Sequence, residues 1–265
     1  LYSLKETEQS DCVIILGEDV IQNDAMLGLS LRQTKMTQAG KLAVENNIEP
    51  WKDDPVRELY QDGPAPIYSF TPYATKLDDL TRQSHRMCPD DIAKMAFTLA
   101  NRLNEEAPAT EQITSEWNSI IEELSGVLQE ASKPLIIAGT GSGNKGIIQA
   151  AANLAQILFQ TNKEAGLFYT VPEANSLGLA LLEGKSIEDF PELSKGRGTD
   201  HLLILENDLY RRYDKRLVNS ILENTKAVTV IDSMETHTTE KANYILPAAT
   251  FAESSGTFIN NESRA

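Results

Sequence analysis

Two groups of residues in this chain have the types and spacing for chemistry: glycines that would admit a phosphate, and carboxylates at the ends of strands. The glycines stand at Gly141-x-Gly143-x-x-Gly146, between the apolar run that Pro134 opens and a helical pattern. That order is what a dinucleotide fingerprint demands, because glycines let a pyrophosphate approach the N–H groups at a helix N-terminus. A lone match is weak. The acid that should close the next strand and hold a ribose is offered only by Glu173, after Pro172 and at a longer spacing. Lys145 does not belong to a G-K-[ST] string, so a phosphate-binding loop of that kind is absent.

The carboxylates are Glu18 and Asp19, Glu206 and Asp208, and Asp232, each just past an apolar run. Ligands of open α/β sheets sit beyond the carboxyl ends of the strands. Two arrangements stay open. If the acids converge, each like-charge contact at ~4–6 Å costs a few kcal/mol at an effective dielectric of about 20, and a diphosphate is repelled. Otherwise they face solvent or pair with Arg32, Arg211 and Arg212.

Other reactive side chains are scattered. Cys12 lies in an apolar strand and reads as an inert buried thiol, and Cys88 precedes Pro89 at a helix start. Neither belongs to a C-x-x-C pair. His85, His201 and His237 form no pattern with a nucleophile, with His201 read at the start of a buried strand. His237 with Glu235 and Glu240 has metal-ligand types, but in a Thr-rich turn a solvated cluster is the better reading.

The elements that must position these residues alternate between strand and helix. Cys12 to Leu16 is a continuous apolar run, as in a strand buried on both faces of a parallel sheet. Asn23 to Lys35 reads as a helix with Met26, Leu27, Leu29 and Leu31 on its apolar side, and Lys41 to Val44 as a strand. Residues 49–72 form a Pro/Gly/Asp-rich connection holding a short strand, Ile67 to Phe70. Helices are predicted over Pro89 to Asn104 and Ser115 to Ala131. The strand Leu135 to Ala138, a helix at Lys145 to Gln160 and the strand Leu167 to Thr170 follow. Ser176 to Gly198 reads as irregular or short-helical. Then come a strand (His201 to Leu205), a helix (Tyr213 to Asn224), a strand (Ala227 to Ile231), a short strand (Tyr244 to Leu246) and a strand-like piece (Thr257 to Asn260). Such alternation implies right-handed β-α-β units and doubly wound parallel sheets. An internal echo pairs C-V-I-I-L-G-E-D-V with H-L-L-I-L-E-N-D-L, so that Glu18 corresponds to Asn207 and Asp19 to Asp208.

The strongest pattern is the C-terminal one. The strand ending in Asp232 leads into M-E-T-H-T-T-E, then Y-I-L-P-A-A-T-F-A-E-S-S-G-T with Pro247, Glu253 and Gly256. This resembles the signature of molybdopterin-dependent oxidoreductases. G-E-D-V (Gly17 to Val20), K-P-L-I-I-A-G-T, E-A-N-S-L-G-L-A (Glu173 to Ala180) and L-E-N-D-L-Y-R (Leu205 to Arg211) look most like the branch of that family found in bacterial NADH-quinone oxidoreductase (respiratory complex I). The resemblance implies an α/β fold of two Rossmann-like, doubly wound parallel-sheet lobes: residues 1–171 with a helical insertion, and residues 172–265. It implies vestigial pterin-site positions at Gly17, Glu18, Asp19, Gly139, Gly141, Glu206, Asn207, Asp208, Asp232 and Thr236. Cofactor-binding relatives read roughly G-x-N-P where this chain has Gly17-Glu18-Asp19 and no proline.

The implied role is a structural, cofactor-free domain supporting electron transfer from NADH to quinone, with the glycine fingerprint mainly structural. Iron-sulfur clusters would lie in the N-terminal region of a longer polypeptide. Partners would be that region and other peripheral-arm subunits of complex I, at the cytoplasmic face of the bacterial plasma membrane without insertion. Two alternatives remain: a catalytic lobe that still binds molybdopterin, and an independent NAD-binding dehydrogenase built on Gly141 to Gly146. Composition bounds all three. A net charge of -15 works against nucleic acid, no apolar stretch suggests a membrane span, and both ends read as cuts in a longer polypeptide.

Overall fold

The computed structural model describes residues 1–61, 63–108, 115–194 and 198–265. Asp62 and residues 195–197, within the connections read at 49–72 and 176–198, lie outside the described residues. The chain divides into two compact units: Leu1–Leu179 with Phe258–Ala265, and Ala180–Thr257. The division expected from the sequence, at 171/172, falls earlier than this one.

The first unit is built on five strands: β1 (Cys12–Leu16), β2 (Ala65–Thr71), β3 (Thr81–Arg86), β4 (Pro134–Gly139) and β5 (Gly166–Thr170). Their order is β3-β2-β1-β4-β5, and every pairing is parallel. Four long helices, α1 (Ala25–Glu45), α2 (Pro89–Leu103), α3 (Ser115–Glu130) and α4 (Lys145–Thr161), supply the covering layers. Successive residues of a strand point to opposite faces. Ile14, Leu16 and Ile136 therefore pack with Ile92, Met95, Leu124, Ile147 and Leu154 of α2, α3 and α4. Val13, Ile15 and Ile137 point the other way, onto Leu27 and Leu31 of α1. Every residue of β1 is fully buried, which is why its sequence shows no polar alternation.

Several expectations need correction. Lys41 to Val44 is not a strand but the last turns of α1, because Ala39 and Ala43 continue a helical face that packs on Val56. Met26 and Leu29 are exposed, so Leu27 and Leu31 alone of the four form the buried side. The connection at 49–72 holds a helix, Asp53–Leu59, besides its strand. The sequence reading missed β3, since T-R-Q-S-H-R on a sheet edge carries no apolar run. Thr257 to Asn260 is not a strand: it takes no part in either sheet.

The edge strand is held by polar contacts. Asp78 accepts from the Thr75 backbone N–H (2.9 Å) and the Ser84 hydroxyl (2.8 Å), and pairs with Arg86. The His85 ring stacks on Phe70 with centroids 5.2 Å apart, edge-on to Trp117. Partial burial pushes the His85 imidazole below its usual pKa. Burial pushes the Asp78 carboxyl up, but hydrogen bonds from Thr75 and Ser84, with Arg86, outweigh it and hold the group low.

Both shifts have the same consequence for stability. Below the ordinary histidine pKa of about 6.5 the unfolded chain takes the His85 proton more readily than the fold does, so stability falls as pH drops through that value. The Asp78 contribution is present above the ordinary carboxyl range and lost as pH falls through its lowered value. His85→Phe, which keeps the stacking, should flatten the dependence of melting temperature on pH between pH 7.5 and pH 5.5. An unchanged slope in that variant would remove His85 as its source.

In the second unit, β6 (Thr199–Leu205), β7 (Thr225–Asp232) and β8 (Tyr244–Pro247) pair in parallel in that order. Helix α5 (Lys215–Glu223) covers one face, where Val218 meets Ile204, Val228 and Val230. On the other face Leu203, Leu205, Tyr244 and Leu246 are more than half exposed. His201 also corrects an expectation: it is exposed, and its Nε2 lies 2.9 Å from the Thr229 hydroxyl rather than opening a buried strand.

Candidate functional site at the strand ends

In the first unit the chain leaves β1 for α1 on one face and leaves β4 for α4 on the other. The crevice between the ends of β1 and β4 is therefore the switch point at which open α/β sheets bind ligands. Gly17 turns the chain there with φ +72° and donates its N–H to Phe70 O at 2.8 Å. That turn brings Glu18 into the crevice. Its side chain is 2% exposed; Oε1 accepts from the Gly141 N–H, and Oε2 accepts from Asn23 Nδ2 at 2.6 Å. Asp19 caps the short helix Val20–Asn23, accepting from the Gln22 N–H at 3.3 Å.

Gly139, at the end of β4, and Gly141, the first glycine of the fingerprint, fit the same carboxylate. A Cβ on Gly139 would lie 2.7 Å from Glu18 Cδ and 2.6 Å from the Thr170 carbonyl oxygen. One on Gly141 would lie 2.6 Å from Glu18 Oε1 and 2.6 Å from Asn23 Nδ2. At the start of α4, Asn144 Oδ1 accepts from the N–H groups of Gly146 (2.8 Å) and Ile147 (3.3 Å). The donors a pyrophosphate would use are thus held by Glu18 and Asn144, and these residues do not fit a bound diphosphate.

The second unit repeats the local plan. Glu206 stands where Gly17 does, with φ +46°, and donates its N–H to Ile231 O at 2.8 Å. Asp208 stands at the N-cap position of a four-residue helix, Leu209–Arg212, as Asp19 does before Val20–Asn23, but makes no side-chain bond to it, whereas Asp214 caps α5 as Asp24 caps α1. Asn207 replaces Glu18, and its Oδ1 is buried without a hydrogen-bond partner. Asp208 accepts from the Thr238 hydroxyl at 2.7 Å, while Asp232 accepts from the N–H groups of Ser233 (2.7 Å) and Met234 (3.2 Å). Thr236 closes the loop after β7 through reciprocal bonds with Thr239.

A family model described as molybdopterin oxidoreductase matches residues 2–265. The chain belongs to the molybdopterin oxidoreductase family. It is 38% identical to the G subunit of NADH-quinone oxidoreductase from Pseudomonas fluorescens over 263 residues, and 37% identical to the protein of that name from Escherichia coli K12 over 264. Each alignment takes in 99% of this chain but 29% of the relative, so the chain spans under a third of the length of these relatives.

Within this family member, the acids at the strand ends serve the protein's own donors. Glu18, Asp19, Asp208 and Asp232 each accept hydrogen bonds inside their own unit. His237 lies 3.5 Å from Glu240 on an exposed turn, and among the described residues no group of three or more His, Cys, Asp or Glu could hold a metal ion. Cys12 is buried, with its thiol pushed up to about 12 by burial, while Cys88 is exposed and donates to Asp91 at 2.9 Å.

Sequence reasoning missed Asn23, Asn144 and Thr238. Asn144 directly precedes a helical pattern, which is an N-cap signal; the other two carry no local signal. The repeated turn also gives a test. Glu206 adopts a left-handed conformation that costs a side chain roughly 1 kcal/mol, so Glu206→Gly should raise stability by about that much in urea unfolding. A destabilised variant would mean that the Glu206 side chain makes contacts outweighing its backbone strain.

Proposed function

We propose that this chain is a cofactor-free structural domain of the G subunit of an NADH-quinone oxidoreductase, supporting electron transfer from NADH to quinone without carrying electrons itself. The observation that carries this reading is the buried Glu18 carboxylate on the Gly141 N–H, in the place where a diphosphate would need that donor. The relatives' shared name supplies the setting. In it the domain packs beside an electron-carrying iron-sulfur region of the same polypeptide and against other peripheral-arm subunits, at the cytoplasmic face of the membrane. The half-exposed apolar residues Leu203, Leu205, Tyr244 and Leu246 on the sheet of the second unit suit such packing, because parallel sheets are generally covered on both faces.

The test is cofactor analysis of the full-length polypeptide made in a host that synthesises molybdopterin. Molybdenum and fluorescent pterin oxidation products should be absent. Their presence at one per polypeptide would favour the catalytic lobe instead. NADH at millimolar concentration should leave the melting temperature unchanged; a saturable rise lost in Gly143→Val would favour a dehydrogenase.

A further inference from the structure

We propose that the crevice between β1 and β4 is an oxyanion niche whose ligand is the chain's own Glu18 carboxylate. This deepens the cofactor-free reading and rests on it, since the same group that fills the niche keeps a diphosphate out. Both oxygens are taken, and by different segments: the Gly141 N–H from the loop after β4 and Asn23 Nδ2 from the end of the short helix after β1. Both donors are neutral. A carboxylate that is 2% exposed is costly unless hydrogen bonds replace its water, and here fixed dipoles do so, as in backbone anion sites.

The niche is also sized to its occupant. Methyl groups on Gly139 and Gly141 would collide with Glu18 itself, so the absence of side chains there makes the room that the carboxylate fills. Ser142 Oγ, buried without a partner, lies beside Gly17 at the mouth of the same turn and offers a further polar group. An internal ligand of this kind is replaceable. Truncating Glu18 leaves its donors aimed at a hole the size of a small carboxylate.

Chemical rescue tests this in the intact chain. Glu18→Ala should melt roughly 5 °C below the unmodified chain. Sodium acetate, titrated to ~200 mM against sodium chloride of equal ionic strength, should restore part of that loss saturably by mass action. The unmodified chain should respond to the two salts alike. Melting of Glu18→Ala together with the unmodified chain, or acetate acting no better than chloride, overturns the proposal. Should Glu18→Ala fail to fold, Glu18→Gln decides: a lower melting temperature supports a requirement for an oxyanion, and an equal one overturns it. The functional reading fails separately. Pterin found in the full-length polypeptide breaks that reading whatever acetate does, whereas an acetate-insensitive variant of a pterin-free chain breaks only the niche.

Discussion

Gly139→Ala should lower the free energy of unfolding by about 3 kcal/mol, while Gly40→Ala should raise it by about 0.5–1 kcal/mol. The same atom is added in both cases; the surroundings set the sign. At Gly139 the new methyl would meet the Thr170 hydroxyl, the Thr170 carbonyl oxygen at 2.6 Å and Glu18 Cδ at 2.7 Å. Two of those neighbours cannot withdraw. The carbonyl belongs to β5, paired with β4, and Glu18 is tied at both oxygens. Gly40 lies inside α1 with nothing within 4 Å of the added carbon, so alanine there only improves helix propensity. Urea unfolding should show the two midpoints moving apart at unchanged slope. A tolerated Gly139→Ala would mean that the ends of β1, β4 and β5 are not packed as described, and the space argument for Glu18 would fall with it.

What the sequence revealed follows from how each element is buried. β1 and β4 were legible because central parallel strands are apolar along their length, β5 because this edge strand still carries Leu167, Phe168 and Tyr169, and α2, α3 and α4 because each keeps a buried stripe. β3 was not, since a sheet edge needs no apolar residues; His85, Asp78 and Arg86 hold it by polar contacts that no periodicity encodes. The end of α1 was misread because Lys41 to Val44 taken alone is a short apolar run after a lysine, which cannot by itself be told from a strand, while its burial runs with Ala39 at helical spacing. At the site, the glycines and acids were visible as types. Their relation was not: the glycine loop and the acid it encloses are far apart in sequence, and only the parallel pairing of β1 with β4 brings Glu18 to Gly141. The echo between Cys12 to Val20 and His201 to Leu209 extends further than the letters do, to a left-handed residue at Gly17 and Glu206 and an Asp at the N-cap position of a short helix two residues later.

In the second unit the residue that holds this turn is Thr238, and its loss should be felt there. Thr238 is fully buried; its hydroxyl accepts from the Leu209 N–H at 2.8 Å and donates to Asp208 Oδ1 at 2.7 Å, tying the loop after β7 to the turn after β6. Thr238→Val keeps the shape and removes both bonds. It leaves the N–H of the buried Leu209 without an acceptor and Asp208 without its donor, at a cost of about 2–3 kcal/mol. Thr238→Ser keeps the hydroxyl and loses only a methyl, at about 1 kcal/mol. Asp208→Asn retains an oxygen that can accept from Thr238, so it should cost less than Thr238→Val. Hydrogen exchange locates the effect: amides of β6 and β7 should lose protection in Thr238→Val while those of β1 and β4 keep theirs. Equal losses in Thr238→Val and Thr238→Ser would mean that the methyl and not the hydroxyl matters, and that the relay from Leu209 to Asp208 does not hold the turn.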